Sequence, residues 1–127
     1  MKLLALSTIL ASAALAASTC NDYKVFRGSH GYDVWLPVNS GSKTCEMGAN
    51  AQSDAVYILQ TTLNSKCYNY GLEEDGIFGP KTVAALKKAQ AKHGAAADGV
   101  YGPETRDKIA WDAYKAGAVT CLKLSQT

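Results

Sequence analysis

The amino-acid sequence predicts an all-α fold: three short helices around one core, preceded by an irregular, disulfide-tied N-terminal arm. Three observations predict it. An octapeptide occurs twice, as "DGIFGPKT" at Asp75–Thr82 and "DGVYGPET" at Asp98–Thr105, with the same glycines, proline and threonine in place. Apolar residues recur at helical spacing from Ser53 onward. Residues 17–52, in contrast, have no helical period and are broken by Gly, Ser, Asn and Pro.

Residues 1–16 read as a secretory signal peptide, with Lys2 ahead of an apolar run and an Ala14-Leu15-Ala16 cleavage site. The run falls short of the roughly 20 residues that a membrane-spanning helix needs. Its removal leaves 111 residues, one small domain with 12 basic and 11 acidic side chains. Such a balance gives no basic surplus for nucleic-acid binding and no acidic surplus for metal loading. A secreted monomer with no cofactor and no membrane contact after cleavage is expected.

The arm, 17–52, carries strand-like pieces at Val25–Phe26 and Val34–Leu36, enough for a short hairpin. Its Tyr23, Phe26, Tyr32 and Trp35 suggest that it packs onto the rest. A domain over 53–121 follows. Ser53 and Asp54 suit a helix start, and Val56, Leu59, Leu63 and Cys67 mark its inner face, with Gly71 ending the segment. A second helix starts at Pro80, whose missing N–H costs nothing in a first turn, and closes at Gly94. A third starts at Pro103, with Ile109, Ala110, Ala113 and Tyr114 on one face and Gly117 at its end. Each octapeptide is thus a helix-start device. Asp bonds its own backbone, Gly takes positive φ, and Phe78 or Tyr101 plugs inward between helices.

Cys20, Cys45, Cys67 and Cys121 are spread too widely for a zinc site, which favours close pairs, and read as two disulfides of undetermined connectivity.

Residues 54–115 resemble the peptidoglycan-binding domain family of three-helix modules. The resemblance is carried by Leu59-Gln60 and Leu63-Asn64, by the two Asp-Gly turns at Asp75–Thr82 and Asp98–Thr105, and by Leu86 with Gln90. A secreted subtype with a Cys before the first helix and a Cys-Tyr after it is matched by Cys45 and Cys67-Tyr68. The family commonly has Phe-Gln where this chain has Ala89-Gln90, and an apolar residue where it has "GAAADG". The subtype implies a Cys45–Cys67 disulfide, which leaves Cys20 with Cys121.

The resemblance implies a secreted, non-catalytic binder of cell-wall peptidoglycan. Tyr68, Tyr70, Tyr101 and Trp111 would stack on sugars, Lys81 and Arg106 would meet peptide carboxylates, and Asp75 and Asp98 would line a groove between the turns. Tyr101 is equally placed to be core. The alternatives are a small cell-wall hydrolase using Glu73 or Glu74, and an effector-like structural protein that kept the fold. A glycosidase needs two facing carboxylates, one in an apolar pocket, whereas Glu73-Glu74-Asp75 reads as a solvated turn. His30 and His93 are the only histidines, and neither has the spacing of a zinc ligand set. His93 suits a helix C-terminus.

Overall fold

The computed structural model describes residues 18–127. The expected signal peptide, 1–16, lies outside the described residues. The chain is not all-α. It forms a four-stranded antiparallel sheet with three helices, in the order β1 (Asp22–Arg27), β2 (Asp33–Val38), α1 (Asp54–Asn64), α2 (Pro80–Lys92), α3 (Pro103–Lys108), β3 (Trp111–Lys115) and β4 (Ala118–Leu122), with a 3₁₀ turn at Leu124–Gln126. The strand order is β1-β2-β3-β4.

Period-two burial explains the strands. In β2 Val34, Leu36 and Val38 point into the core while Trp35 is exposed, and β1 pairs along its whole length, from Asp22 opposite Val38 to Arg27 opposite Asp33. Trp111 and Ala113 of β3 alternate inward in the same way. The third helix is therefore only six residues long, ending at Lys108, and Ile109 leaves it in extended backbone. Gly117 closes no helix. With Ala116 it makes the two-residue β3–β4 turn, both at positive φ (79° and 52°), which suits the right-handed twist of a hairpin. β2 and β3 share one register pair, Asp33 with Tyr114, and α1 packs on β1 and β2.

The helix starts follow the sequence. Ser53 caps α1, its Oγ accepting from the Val56 N–H at 3.4 Å, and Pro80 and Pro103 open α2 and α3. α1 stops at Asn64, so Cys67 lies beyond it. Arm and helices share one core, in which Val34, Leu36, Cys45 and Met47 pack with Leu59, Leu63, Phe78, Leu86, Tyr101 and Trp111.

The two turns are held by two glutamines, each almost wholly buried. Gln60 of α1 shares its two amide hydrogens among Asp75 Oδ1 (3.1 Å), the Ile77 carbonyl (3.0 Å) and Thr82 Oγ1 (3.1 Å), and its Oε1 accepts from the Gly76 N–H at 2.9 Å. Gln90 of α2 repeats this with Asp98 Oδ1 (3.2 Å), the Val100 carbonyl (2.9 Å), Thr105 Oγ1 (2.9 Å) and the Gly99 N–H (2.9 Å). Asp75 and Asp98 each accept the N–H two residues on, at 3.0 and 2.9 Å, and Gly76 and Gly99 both sit at φ 73°. The octapeptide is repeated because each copy is the receptor for a glutamine from the helix before it.

The disulfides are Cys20–Cys45 and Cys67–Cys121, with Cα separations of 5.0 and 5.7 Å. The Cys45–Cys67 and Cys20–Cys121 pairing implied by the resemblance is wrong. The Cys20 N–H donates to the Glu46 carbonyl at 2.9 Å, which lays Cys20 beside Cys45, and Cys67 beyond α1 faces β4. Each bond should stabilise by roughly 2–4 kcal/mol, mainly through the unfolded chain.

Two measurements check this description. Mass mapping of the unreduced protein should yield Cys20–Cys45 and Cys67–Cys121 peptides, and a Cys45–Cys67 peptide would contradict it. Gln90→Leu strands the buried Gly99 N–H and removes three donor contacts, so it should destabilise by roughly 3 kcal/mol. A melting temperature within about 2 °C of wild type would show that the clamp contributes little.

Candidate functional site

The arm treats the two clamped turns differently. Residues 46–53 run past both. The Ser53 N–H donates to the Gly76 carbonyl (3.0 Å), the Phe78 N–H to Ala51 (2.8 Å) and the Asn50 N–H to Phe78 (2.9 Å), while Met47 and Tyr101 exchange both backbone bonds (3.0 and 2.8 Å). At the second turn the arm also covers the helix start: a Cβ placed on Gly102 would meet the Glu46 side chain at 3.3 Å. At the equivalent Gly79 a Cβ would meet nothing within 4 Å. The first helix start is open and the second is not.

Two open depressions flank Gly79 and Pro80. One, about 370 Å³, is lined by Leu72, Glu73, Asp75, Ile77, Lys81 and Thr82. The other, about 390 Å³, is lined by Asn50, Phe78, Val83 and Lys87. Ile77 stands at the rim with 44% of its surface exposed, an apolar contact offered to solvent. Hydrogen bonds from the Ile77 N–H and then from Gln60 hold the Asp75 carboxyl below the usual carboxylate range, so it stays ionised at neutral pH. Glu74 lies outside the depressions and accepts from Asn64 Nδ2 at 2.8 Å.

The eight expected ligand residues do not form one site. Asp75 and Lys81 line the first depression. Asp98 holds the second turn through Gln90 and the Val100 N–H. Tyr101 and Trp111 are wholly buried, edge to face with centroids 6.1 Å apart, and present no face to a sugar. The turn aromatic is needed inside, between sheet and helices, and burial pushes the Tyr101 hydroxyl far above its ordinary pKa. Trp111 Nε1 donates to the Arg106 carbonyl at 2.9 Å. Arg106 itself is largely covered, bound to Asp107 and donating to the Lys43 carbonyl. Tyr70 is half-buried against Tyr68, beneath the Lys88 ammonium of α2, and does not line either depression. Leu72, Ile77, Gly79 and Lys87 were missed as site residues. Ile77 and Gly79 lie inside the repeated octapeptide, and no sequence signal separates them from their equivalents, since Ile77 and Val100 are exposed alike at 44% and 43%.

Other chemistry is accounted for locally. Cys67, Asp112 and Cys121 cluster closely enough to hold a metal, but both cysteines are locked in the disulfide. Burial raises the Asp112 carboxyl, which sits beside that bond and away from the depressions. Burial, and then the charges of Lys123 and Lys92, lower the His93 imidazole, whose Nε2 lies 3.0 Å from the Tyr68 hydroxyl. Among the described residues no helix is long and apolar enough to cross a membrane.

Neither a curated protein nor a solved structure matches the chain. A family model does match, over residues 52–109, and it is described as "Putative peptidoglycan binding domain". Its segment opens where the arm pairs with the first turn and ends at Ile109, where α3 gives way to the sheet, so it contains both glutamine clamps and the open helix start. Over this segment the chain is similar to the peptidoglycan-binding domain family.

Proposed function

We propose that this chain is a secreted, non-catalytic protein that binds cell-wall peptidoglycan in the depressions around Gly79 and Pro80. The observation that carries the proposal is the open start of α2 inside the family segment, beside a second, equivalent start that the arm covers. The lining suits a glycopeptide. Ile77 and Leu72 offer apolar contact, Lys81 offers a cation for a peptide carboxylate, and the clamp fixes all of them on a rigid turn.

Several features favour binding over hydrolysis. A glycosidase needs two carboxyl groups whose environments push their pKa values apart. In the first depression Asp75 is held ionised by the same bonds that hold the turn, which makes it a poor proton donor. Glu74 is bonded to Asn64 outside the depressions. Two disulfides fit an oxidising, extracellular setting.

Gly79 has extended backbone (φ −88°) and free space at its Cβ, so Gly79→Leu places a bulky side chain between the two depressions without backbone strain. Retention on insoluble peptidoglycan should fall by about tenfold or more, roughly 1.4 kcal/mol, while the melting temperature stays unchanged. Full retention by a folded Gly79→Leu protein would remove the proposed site. Release of soluble muropeptides that vanishes in Glu73→Gln/Glu74→Gln would make the protein a hydrolase. A wild type that neither binds nor releases would fit the structural, effector-like alternative.

A further inference from the structure

The open depression is one end of a longer feature. Lys81, Lys88 and Lys92 are spaced seven and four residues apart on α2, which puts them on one helix face over about 16 Å. The segment after α1 runs along that face in the opposite direction. Tyr68 lies under Lys92, with Nζ 5.3 Å from the ring centroid, Tyr70 lies under Lys88 at 5.4 Å, and Leu72 lines the depression with Lys81. The tyrosines are themselves fixed. Tyr68 Oη donates to the Ala110 carbonyl at 3.0 Å and accepts from the Ala110 N–H at 2.9 Å, and the Tyr68 and Tyr70 rings are 5.4 Å apart.

These cations are held in place yet not neutralised. Among the described residues Lys81, Lys88 and Lys92 make no ion pair, whereas Lys108 nearby is paired with Glu104. Lys92 donates one long bond, 3.5 Å, to the Cys67 carbonyl, and its other hydrogens are free. Lys123 adds a further positive charge beside His93. The acids lie at the edges: Glu73 and Asp75 in the depression, and Asp112 behind Tyr68 by the disulfide. Like charges one turn apart on a helix repel, and ring faces beneath them restrict where the ammonium groups can go. Such a row is relieved by an anion that spans it.

We propose that this face of α2 is a track for a single peptide-bearing glycan strand, entering at Lys81 and presenting its peptide carboxylates to Lys88 and Lys92. The proposal rests on the peptidoglycan-binding reading and adds to it the part of the polymer that is recognised. A carboxylate-bearing strand fits better than a neutral glycan because the row offers charge at helical intervals and few hydrogen-bond acceptors.

Retention is measured on three forms of insoluble peptidoglycan: untreated, stripped of phosphodiester-linked polymers, and with its carboxylates amidated. Wild-type protein should bind the first two equally and the amidated form about tenfold less. Lys88→Gln/Lys92→Gln, a surface change checked by an unaltered melting curve, should lose about the same factor on untreated wall and nothing more on amidated wall. Undiminished retention of the double variant, or of wild type on amidated wall, overturns the track and leaves the depression standing. Loss on stripping the phosphodiester polymers overturns it too, by assigning the charge to phosphate. A wild type retained on none of the three removes both readings.

Discussion

A buried glutamine amide, used twice, is what the rest of the structure depends on. An amide enclosed in the core must have its donors and its acceptor satisfied, and here both Gln60 and Gln90 achieve this only against an Asp-Gly turn folded in one particular way. The glycine N–H must point back at Oε1, and the Asp carboxylate must face both Nε2 and the N–H two residues on. The threonine of the next helix must come within 3.1 Å or less. Each clamp therefore sets the end of one helix against the start of the next. It also fixes the direction in which Phe78 or Tyr101 enters the core. Losing the amide strands the turn glycine N–H beside the core, buried at Gly99, and releases the threonine and the Asp together, so the contacts of each clamp are coupled.

Two copies of one device have come to different ends because of what the arm does to them. At the second turn, backbone pairing between Met47 and Tyr101 and the Glu46 side chain over Gly102 close the helix start, and the turn serves the core. At the first, the arm bonds the inner edge through Ala51 and Ser53 and leaves free space at the Gly79 Cβ position. Rigidity and access are thus separated: the clamp supplies the one and the route of the arm decides the other. The same separation explains why the acids of the first turn belong to structure. Asp75 lines the depression, but its oxygen is already engaged by Gln60 and the Ile77 N–H.

Much of this was legible in local sequence, and the failures were non-local. The Asp-Gly turns, the proline-started helices, the Ser53 cap and the inward Phe78 each follow from chemistry within a few residues, and each is found. The arm hairpin is legible at Val25–Phe26 and Val34–Leu36, but β3 and β4 are short, and the single pair Asp33–Tyr114 that joins the two hairpins into one sheet lies far apart in the chain. Ile109–Tyr114 satisfies a helical face as well as it satisfies an alternation, and only the neighbour at Ala118–Leu122 decides between them. Disulfide pairing failed for the same reason. Cysteine positions carry no record of which strand will lie beside which, and Cys20 meets Cys45 because the arm doubles back on itself. Tyr101 and Trp111 were offered to a ligand because aromatics near a turn suit both a core and a platform. Their edge-to-face contact inside the molecule assigns them to the core.

The central claim is that the two turns are equal in build and unequal in use. Amide chemical shifts recorded while a soluble glycopeptide fragment of peptidoglycan is added test it most directly, because both turns are read in one experiment. The account predicts that the shifts concentrate on Leu72–Thr82, on Asn50 beside them and along α2 toward Lys92, with Asp98–Thr105 unmoved. Shifts centred on Asp98–Thr105, or spread equally over both turns, would contradict it.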